Sequence, residues 1–259
     1  MTVAEPARRV ASLIPSATDW LVAMGAADRL VARTDYDRSP LLADVPSVGG
    51  GLAPSIEWLA AHRPDLVIAW ADGPSRSTVG RLEALGIPVY VAPAETIDEA
   101  FAIAGDLGRL LGLEPAAESV MAEARAGLDR VRAAARGHGD PATLILVGLD
   151  PITAAGPGTF IDELLGVAGG RNVLADLSLA WPPLSLEEVV RRDPDVIILG
   201  SGADPPLGVL RSRPGWRGLS AVRHGRVYPV EPDVSHRWGP QLHETARLLA
   251  DHVHGSERR

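Results

Sequence analysis

Few side chains in this sequence can do covalent chemistry. All 25 basic residues are arginine, cysteine is absent, and the seven histidines are scattered. Without lysine there is no phosphate loop of the Gly-Lys-Ser/Thr kind and no Schiff base. Without cysteine there is no thiol nucleophile, disulfide, iron–sulfur cluster or Cys-ligated zinc. His243-Glu244 opens like a zinc-protease motif, but Arg247 stands where the second histidine belongs. There is no Gly-x-Ser-x-Gly nucleophile elbow. No two histidines combine metal-ligand spacing with a nearby carboxylate, so no bare metal site is expected. A two-lobe transferase would need a nucleotide-diphosphate site, and no such motif is present. The reading is therefore recognition rather than catalysis.

The residues that can recognise something are aromatic and lie between predicted elements. Tyr36 sits in Asp35-Tyr-Asp, Trp70 just past an apolar run, Trp181 before Pro-Pro, and Trp238 in the stretch Asp233 to Pro240. Phe160 falls at an element edge. Trp20, Trp58 and Trp216 occupy helical or repeat positions and read as packing. Gly49-Gly50-Gly51 is too short for a nucleotide fingerprint; it is either a turn or a place where backbone comes close to a large ligand. His236 is a single imidazole in the same stretch as Trp238.

The elements that must position these residues alternate. Short apolar strands are expected at Val10 to Ile14, Leu30 to Ala32, Leu66 to Ala69 and Val89 to Val91. Further strands follow at Leu144 to Leu149, Val196 to Leu199 and Val227 to Val230. Helices lie between them, which implies parallel sheets covered on both faces. Ser16 is read as the start of a capping pattern, and Thr96-Ile-Asp-Glu99 as a capping box. From Pro115 to Arg136 only Gly127 breaks the helical pattern, and Val120, Ala124, Leu128, Val131 and Ala135 form one apolar stripe. An internal repeat accompanies this pattern. Ser55 to Ile68 and Ser185 to Ile198 align without a gap, 130 positions apart, sharing Ser, Glu, Pro-Asp and the final Ile. Gly86 to Pro93 and Gly225 to Pro232 echo each other in the same order. The expected organisation is an N-terminal lobe (1–112), a linking helix (113–138) and a C-terminal lobe (139–259). A ligand is expected in a cleft at the C-terminal strand edges.

A net charge of −8 argues against nucleic acid and against a polybasic membrane anchor. No run approaches the ~20 apolar residues of a membrane helix. Met1 to Arg9 has no apolar core of a signal peptide.

In order and spacing, these motifs resemble the class III periplasmic binding proteins, the substrate-binding components of ABC importers. Arg9 to Asp19, with Gly25 and Asp28-Arg-Leu, is similar to that family's opening strand and helix. Asp19 stands where the family usually has Glu. Pro64 to Trp70, Trp181-Pro, Ser185, Glu187, Pro194-Asp-Val-Ile, Pro214-Gly-Trp216, Leu219 and Gly225-Arg-Val-Tyr228 carry the rest. The resemblance implies an α/β fold of two Rossmann-like lobes with mostly parallel sheets joined by one long helix. It implies a non-catalytic, monomeric receptor with no resident cofactor, acting outside the cytoplasm with an ABC permease and its ATPase. Family ligands are metal chelates, and the vitamin B12 (cobalamin) binders look nearest. Haem, a ferric siderophore and an intracellular corrinoid-binding role are the alternatives.

On this reading Tyr36, Trp70, Trp181 and Trp238 give flat apolar contact to a corrinoid, Gly50 and Gly51 allow close approach, and Asp150, Asp233, Ser235 and His236 give polar contact. His236 is a possible axial ligand. Docking on the permease would use an acidic residue on each lobe: Asp72 or Glu83 on the first, and Glu231, Asp233 or Asp204 on the second. Arg76 falls where the first-lobe acid of the B12 binders aligns.

Overall fold

The computed structural model describes residues 5–70, 75–92, 95–200, 207–231 and 237–255. The chain forms two compact units. Unit 1 comprises Met1–Ala124 with Trp238–Pro240; unit 2 comprises Arg125–Arg237 with Gln241–Arg259.

In unit 1 the elements alternate: β1 (Val10–Ser12), α1 (Pro15–Ala23), β2 (Leu30–Ala32), α2 (Ile56–His62), β3 (Leu66–Ala69), α3 (Ser75–Ala84), β4 (Val89–Val91) and α4 (Ile97–Leu111). The strands form one parallel sheet in the order β2-β1-β3-β4. β1 and β3 are buried at every residue, as strands covered on both faces must be. One core cluster packs Leu13, Leu59, Val67 and Leu82 at 0% exposure. α5 (Glu114–Ala135) follows, and its residues pass from unit 1 to unit 2 at Ala124.

Unit 2 contains β5 (Ala142–Leu149), β6 (Ile152–Ala154), α6 (Phe160–Val167), β7 (Arg171–Asn172), α7 (Leu186–Arg192), β8 (Val196–Leu199), α8 (Leu207–Ser212), α9 (Ser220–Arg223), β9 (Val227–Pro229) and α10 (Leu242–His254). The sheet order is β6-β5-β8-β9, with β7 also pairing with β5. β5, β7, β8 and β9 are parallel, and β6 folds back antiparallel on β5.

The repeat is physical. Ser55 and Ser185 both cap their helices, each hydroxyl accepting a hydrogen bond from the backbone N–H three residues on, Trp58 and Glu188. Both helices end in a left-handed residue that is not glycine, Arg63 (φ 45°) and Asp193 (φ 37°). After each, the Pro-Asp pair ties the next strand to its neighbour. Asp65 N–H donates to Arg9 O at 2.7 Å, and its carboxylate accepts from the N–H groups of Arg8 and Arg9. Asp195 N–H donates to Ala142 O at 2.7 Å, and its carboxylate accepts from Ala142 N–H. Gly86 (φ 73°) and Gly225 (φ 71°) make the matching turns into β4 and β9.

Three local expectations differ from the structure. Ser16 is not a cap: α1 starts at Pro15 behind Ile14, whose side chain makes no capping bond. Ser16 is buried, and its hydroxyl instead accepts from Trp238 N–H. Proline at the first position needs no N–H partner, so the helix starts without a polar cap. β6 and β7 were not expected; each has at most three residues, too few to show a period of two. Phe160 is a core residue at 5% exposure on the first turn of α6.

Candidate functional site

Parallel strands gather all their C-terminal ends on one sheet edge, and the loops leaving that edge are where α/β proteins place ligand-binding residues. In unit 1 this edge carries Trp70, immediately after β3, and the long connection from β2 to α2, which includes Tyr36, Gly50 and Gly51.

That connection is internally braced. Arg33 donates to the carbonyls of Thr34, Leu42 and Val45. Val48 N–H donates to Arg33 O, and Asp35 N–H to Gly49 O, so two loop arms lie side by side. Tyr36 stands on this brace at 62% exposure, one of the most exposed large apolar side chains described. A Cβ at Gly50 would lie 3.9 Å from the Tyr36 ring, so the two adjoin. Gly51 has another role. A Cβ there would lie 2.0 Å from Leu13 O, so this glycine admits the β1–α1 backbone rather than a ligand. The expectation of close ligand approach is corrected at Gly51 and stays open at Gly50.

Trp70 is half-buried and meets Trp238 edge to face, with ring centroids 6.2 Å apart at 89°. Trp238 was expected to offer a free face and does not. It is 1% exposed, its carbonyl accepts from the Trp20 indole at 3.0 Å, and its N–H donates to Ser16. Its own indole nitrogen has no hydrogen-bond partner among the described residues. Trp238 is thus the packing behind Trp70, and Trp70 keeps the accessible ring. Trp20 at 0% and Trp216 at 5% exposure are packing residues, and Trp58 stacks on His62.

Sequence reasoning missed Asp37. It is 8% exposed, and one carboxylate oxygen accepts from the N–H (2.6 Å) and hydroxyl (2.8 Å) of Thr34. The other oxygen is buried with no partner among the described residues. A buried carboxylate oxygen without a donor is costly, and a ligand amide or hydroxyl can supply one. In the sequence Asp37 is one of two acids flanking Tyr36, and nothing distinguishes it from Asp35.

In unit 2 the corresponding edge carries Asp150, Trp181 and Glu231. Asp150 is exposed and turns the chain from β5 into β6 ahead of Pro151, across a cis peptide bond. Trp181 is half-buried. The carbonyls on either side of it, Ala180 and Pro182, accept from Gly156 N–H (2.7 Å) and Ala154 N–H (3.2 Å). A Cβ at Gly156 would lie 2.1 Å from Leu179 O, so this glycine lets the Trp181 strap lie against β6. Glu83, on α3, and Glu231, after β9, are both exposed, as is Arg76 on α3. Asp72, Asp204, Asp233, Ser235 and His236 lie outside the described residues. Among the described residues no group of three or more His, Asp or Glu side chains converges to hold a metal. No described helix is long and apolar enough to cross a membrane.

Comparison with known proteins agrees with this arrangement. Residues 10–234 match the family model described as periplasmic binding protein. The chain is 29% identical over 261 residues to the uncharacterised ABC transporter substrate-binding lipoprotein YvrC of Bacillus subtilis (strain 168), covering 98% of this chain and 82% of that protein. It is 32% identical over 200 residues to the vitamin B12-binding protein of Yersinia pestis (strain Pestoides F), covering 76% and 70%. A periplasmic heme binding protein from Pseudomonas aeruginosa superposes with a TM-score of 0.83 at 26% identity, covering 96% of this chain and 94% of that one.

Proposed function

The chain belongs to the periplasmic binding protein family, and from that premise we propose that it is a non-catalytic, extracytoplasmic receptor for a corrinoid, delivering it to an ABC permease. The observation that carries the ligand assignment is the 32% identity to a vitamin B12-binding protein. The two strand edges support it. A corrin is a broad, largely apolar plate with amide arms. Tyr36 and Trp70 offer flat rings on the edge of unit 1, and Trp181 offers one on unit 2. Asp37 and Asp150 offer acceptors for amide N–H groups. Glu83 and Glu231, both exposed acids, are the docking residues for permease arginines, where charge pairs steer and orient association.

The test is calorimetric titration of the protein with cyanocobalamin and, in parallel, with hemin. Saturable one-to-one cobalamin binding that weakens in Trp70→Ala supports the corrinoid reading. Hemin binding with a shifted Soret band, and no heat with cobalamin, moves the ligand to haem. That second reading is favoured by the haem-binding structure at 26% identity and by the exposed Tyr36 phenol, a known type of iron ligand. Saturable binding of neither chelate overturns both.

A further inference from the structure

The edge of unit 2 opposite Asp150 and Glu231 holds a second feature. A groove of about 680 Å³ runs between the C-terminal half of α5 and α10, lined by His138, His243, Asp251 and His254 among others. His138 precedes the first residue of β5, and the Ala168–Gly169 turn precedes β7, so this is the N-terminal edge of the sheet.

His254 is held there in one tautomer. Its Nε2 lies 2.8 Å from Ala168 O. A carbonyl can only accept, so in the neutral ring Nε2 carries the proton and Nδ1 keeps the lone pair. That Nδ1 is buried and has no hydrogen-bond partner among the described residues. The ring is seated tightly: a Cβ at Gly169 would lie 2.9 Å from Nε2. The second imidazole is His138, whose ring centroid lies 5.4 Å away at 49°.

We propose that His138 and His254 form a two-imidazole site for a divalent transition-metal ion of the zinc, nickel or copper type. Two lines of geometry carry it. Imidazoles that share one tetrahedral ion at ~2.0–2.1 Å have ring centres roughly 5 Å apart. In addition, a metal-bound histidine almost always donates its other ring N–H to a carbonyl or carboxylate, and the His254–Ala168 bond has that form. Asp251 and His243, which line the same groove, stand outside the pair, so water or a small added ligand completes the coordination. Imidazole with open positions selects ions in the order that places copper(II) highest among these three. The occupant is a bare ion held at the opposite end of the unit 2 strands from Asp150 and Trp181. It joins the turn after α5 to the end of α10.

The probe is the metal alone, without any chelate ligand. Copper(II), nickel(II) and zinc chloride are titrated into the tag-free protein by calorimetry, with Tm read by differential scanning calorimetry. The expected result is one ion per chain and a raised Tm. His138→Ala, at an exposed turn residue, is expected to weaken binding at least about tenfold and abolish the Tm rise. His254→Gln, whose amide can still donate to Ala168 O, is expected to do the same while keeping the apo Tm. His224→Ala, at another exposed histidine, is expected to change nothing. Unchanged affinity in His138→Ala, or no binding by the wild-type protein at millimolar metal, overturns the site. Cobalamin and hemin titrations do not enter this test, so its outcome is separate from theirs.

Discussion

At the residue scale, exposure separates recognition from packing among similar aromatics. Tyr36 has little to lose on the folded side, because most of its ring already faces water. Tyr36→Ala is therefore expected to leave Tm unchanged and weaken ligand binding about tenfold in the calorimeter, the effect of losing one aromatic contact. Trp238→Ala is the converse. Removing a fully buried ring costs about 3–5 kcal/mol, and chemical denaturation should register that loss before any ligand is added. Gly51→Ala joins it, since its Cβ would sit inside the Leu13 carbonyl and the β1–α1 turn would have to move. Gly50→Ala meets only the rim of Tyr36 and is expected to unfold at the wild-type denaturant midpoint. From sequence alone, Trp70 and Trp238 were equivalent loop tryptophans, as were Gly50 and Gly51. What divides each pair is a contact with residues distant in the chain, Trp20 and Leu13, which no local pattern records.

At the element scale the two repeat helices are caps, turns and strand ties of one design, so matched substitutions should cost alike. Ser55→Ala and Ser185→Ala are each expected to remove about 1 kcal/mol, and the double variant about the sum, because the helices share no partner. The two left-handed ends differ. Among the described residues only the backbone of Arg63 is used, its carbonyl accepting from Arg9, and the side chain is exposed. Arg63→Gly relieves the positive φ and is expected to change stability by less than about 1 kcal/mol. Asp193 accepts from both the N–H and hydroxyl of Ser220 at 2.7 Å. Asp193→Gly is therefore expected to cost about 1–3 kcal/mol, and urea denaturation of the two variants side by side checks the difference. This scale was the most legible in the sequence. The Thr96 capping box, β3, β4 and β8 stand where periodicity and caps put them. The repeat was readable because each part has a fixed role: the Ser caps its helix, the Asp ties the strand to its neighbour, and the apolar run is buried. α1 was misread because Ser16 has the right residue type for a cap, while its hydroxyl is used by Trp238 instead.

At the scale of the whole molecule, proton linkage sets a stability profile. Glu188 is held below the usual carboxylate range by its hydrogen bonds to Arg191 and Arg192, and Asp176 by its bond to Arg192. A depressed carboxylate contributes stability above its unfolded pKa and loses it as pH falls through the folded value. His252 acts in the same direction by another route. Burial pushes it below its ordinary 6.5, partly opposed by Asp251, and its ring stacks on Tyr228 with centroids 4.4 Å apart. Between its folded pKa and 6.5 the unfolded chain binds more protons, so stability rises with pH there. Tm is thus expected to fall in two stages on acidification, first below 6.5 and again in the carboxylate range. His252→Gln should remove the first stage and Arg192→Met flatten the second, both read by calorimetry across pH. The proposed metal pair was invisible at every sequence scale, because His138 and His254 meet only after β5 and α10 have packed in unit 2.

Trp238–Pro240 belongs with residues that precede it by more than a hundred positions. A ribosome releases the chain from its first residue onward. The N-terminal unit therefore waits, with the Trp20 indole lacking its carbonyl and Trp70 lacking its backing ring, until Trp238 has been translated. Its last piece is delivered only after every strand of the other unit has been made. A nascent chain halted at Arg237 would hold a complete second sheet beside a first unit that cannot close its core. Both units are therefore completed from one late stretch of chain: Trp238–Pro240 finishes the half that is born first, and the next residues, with α10, finish the other.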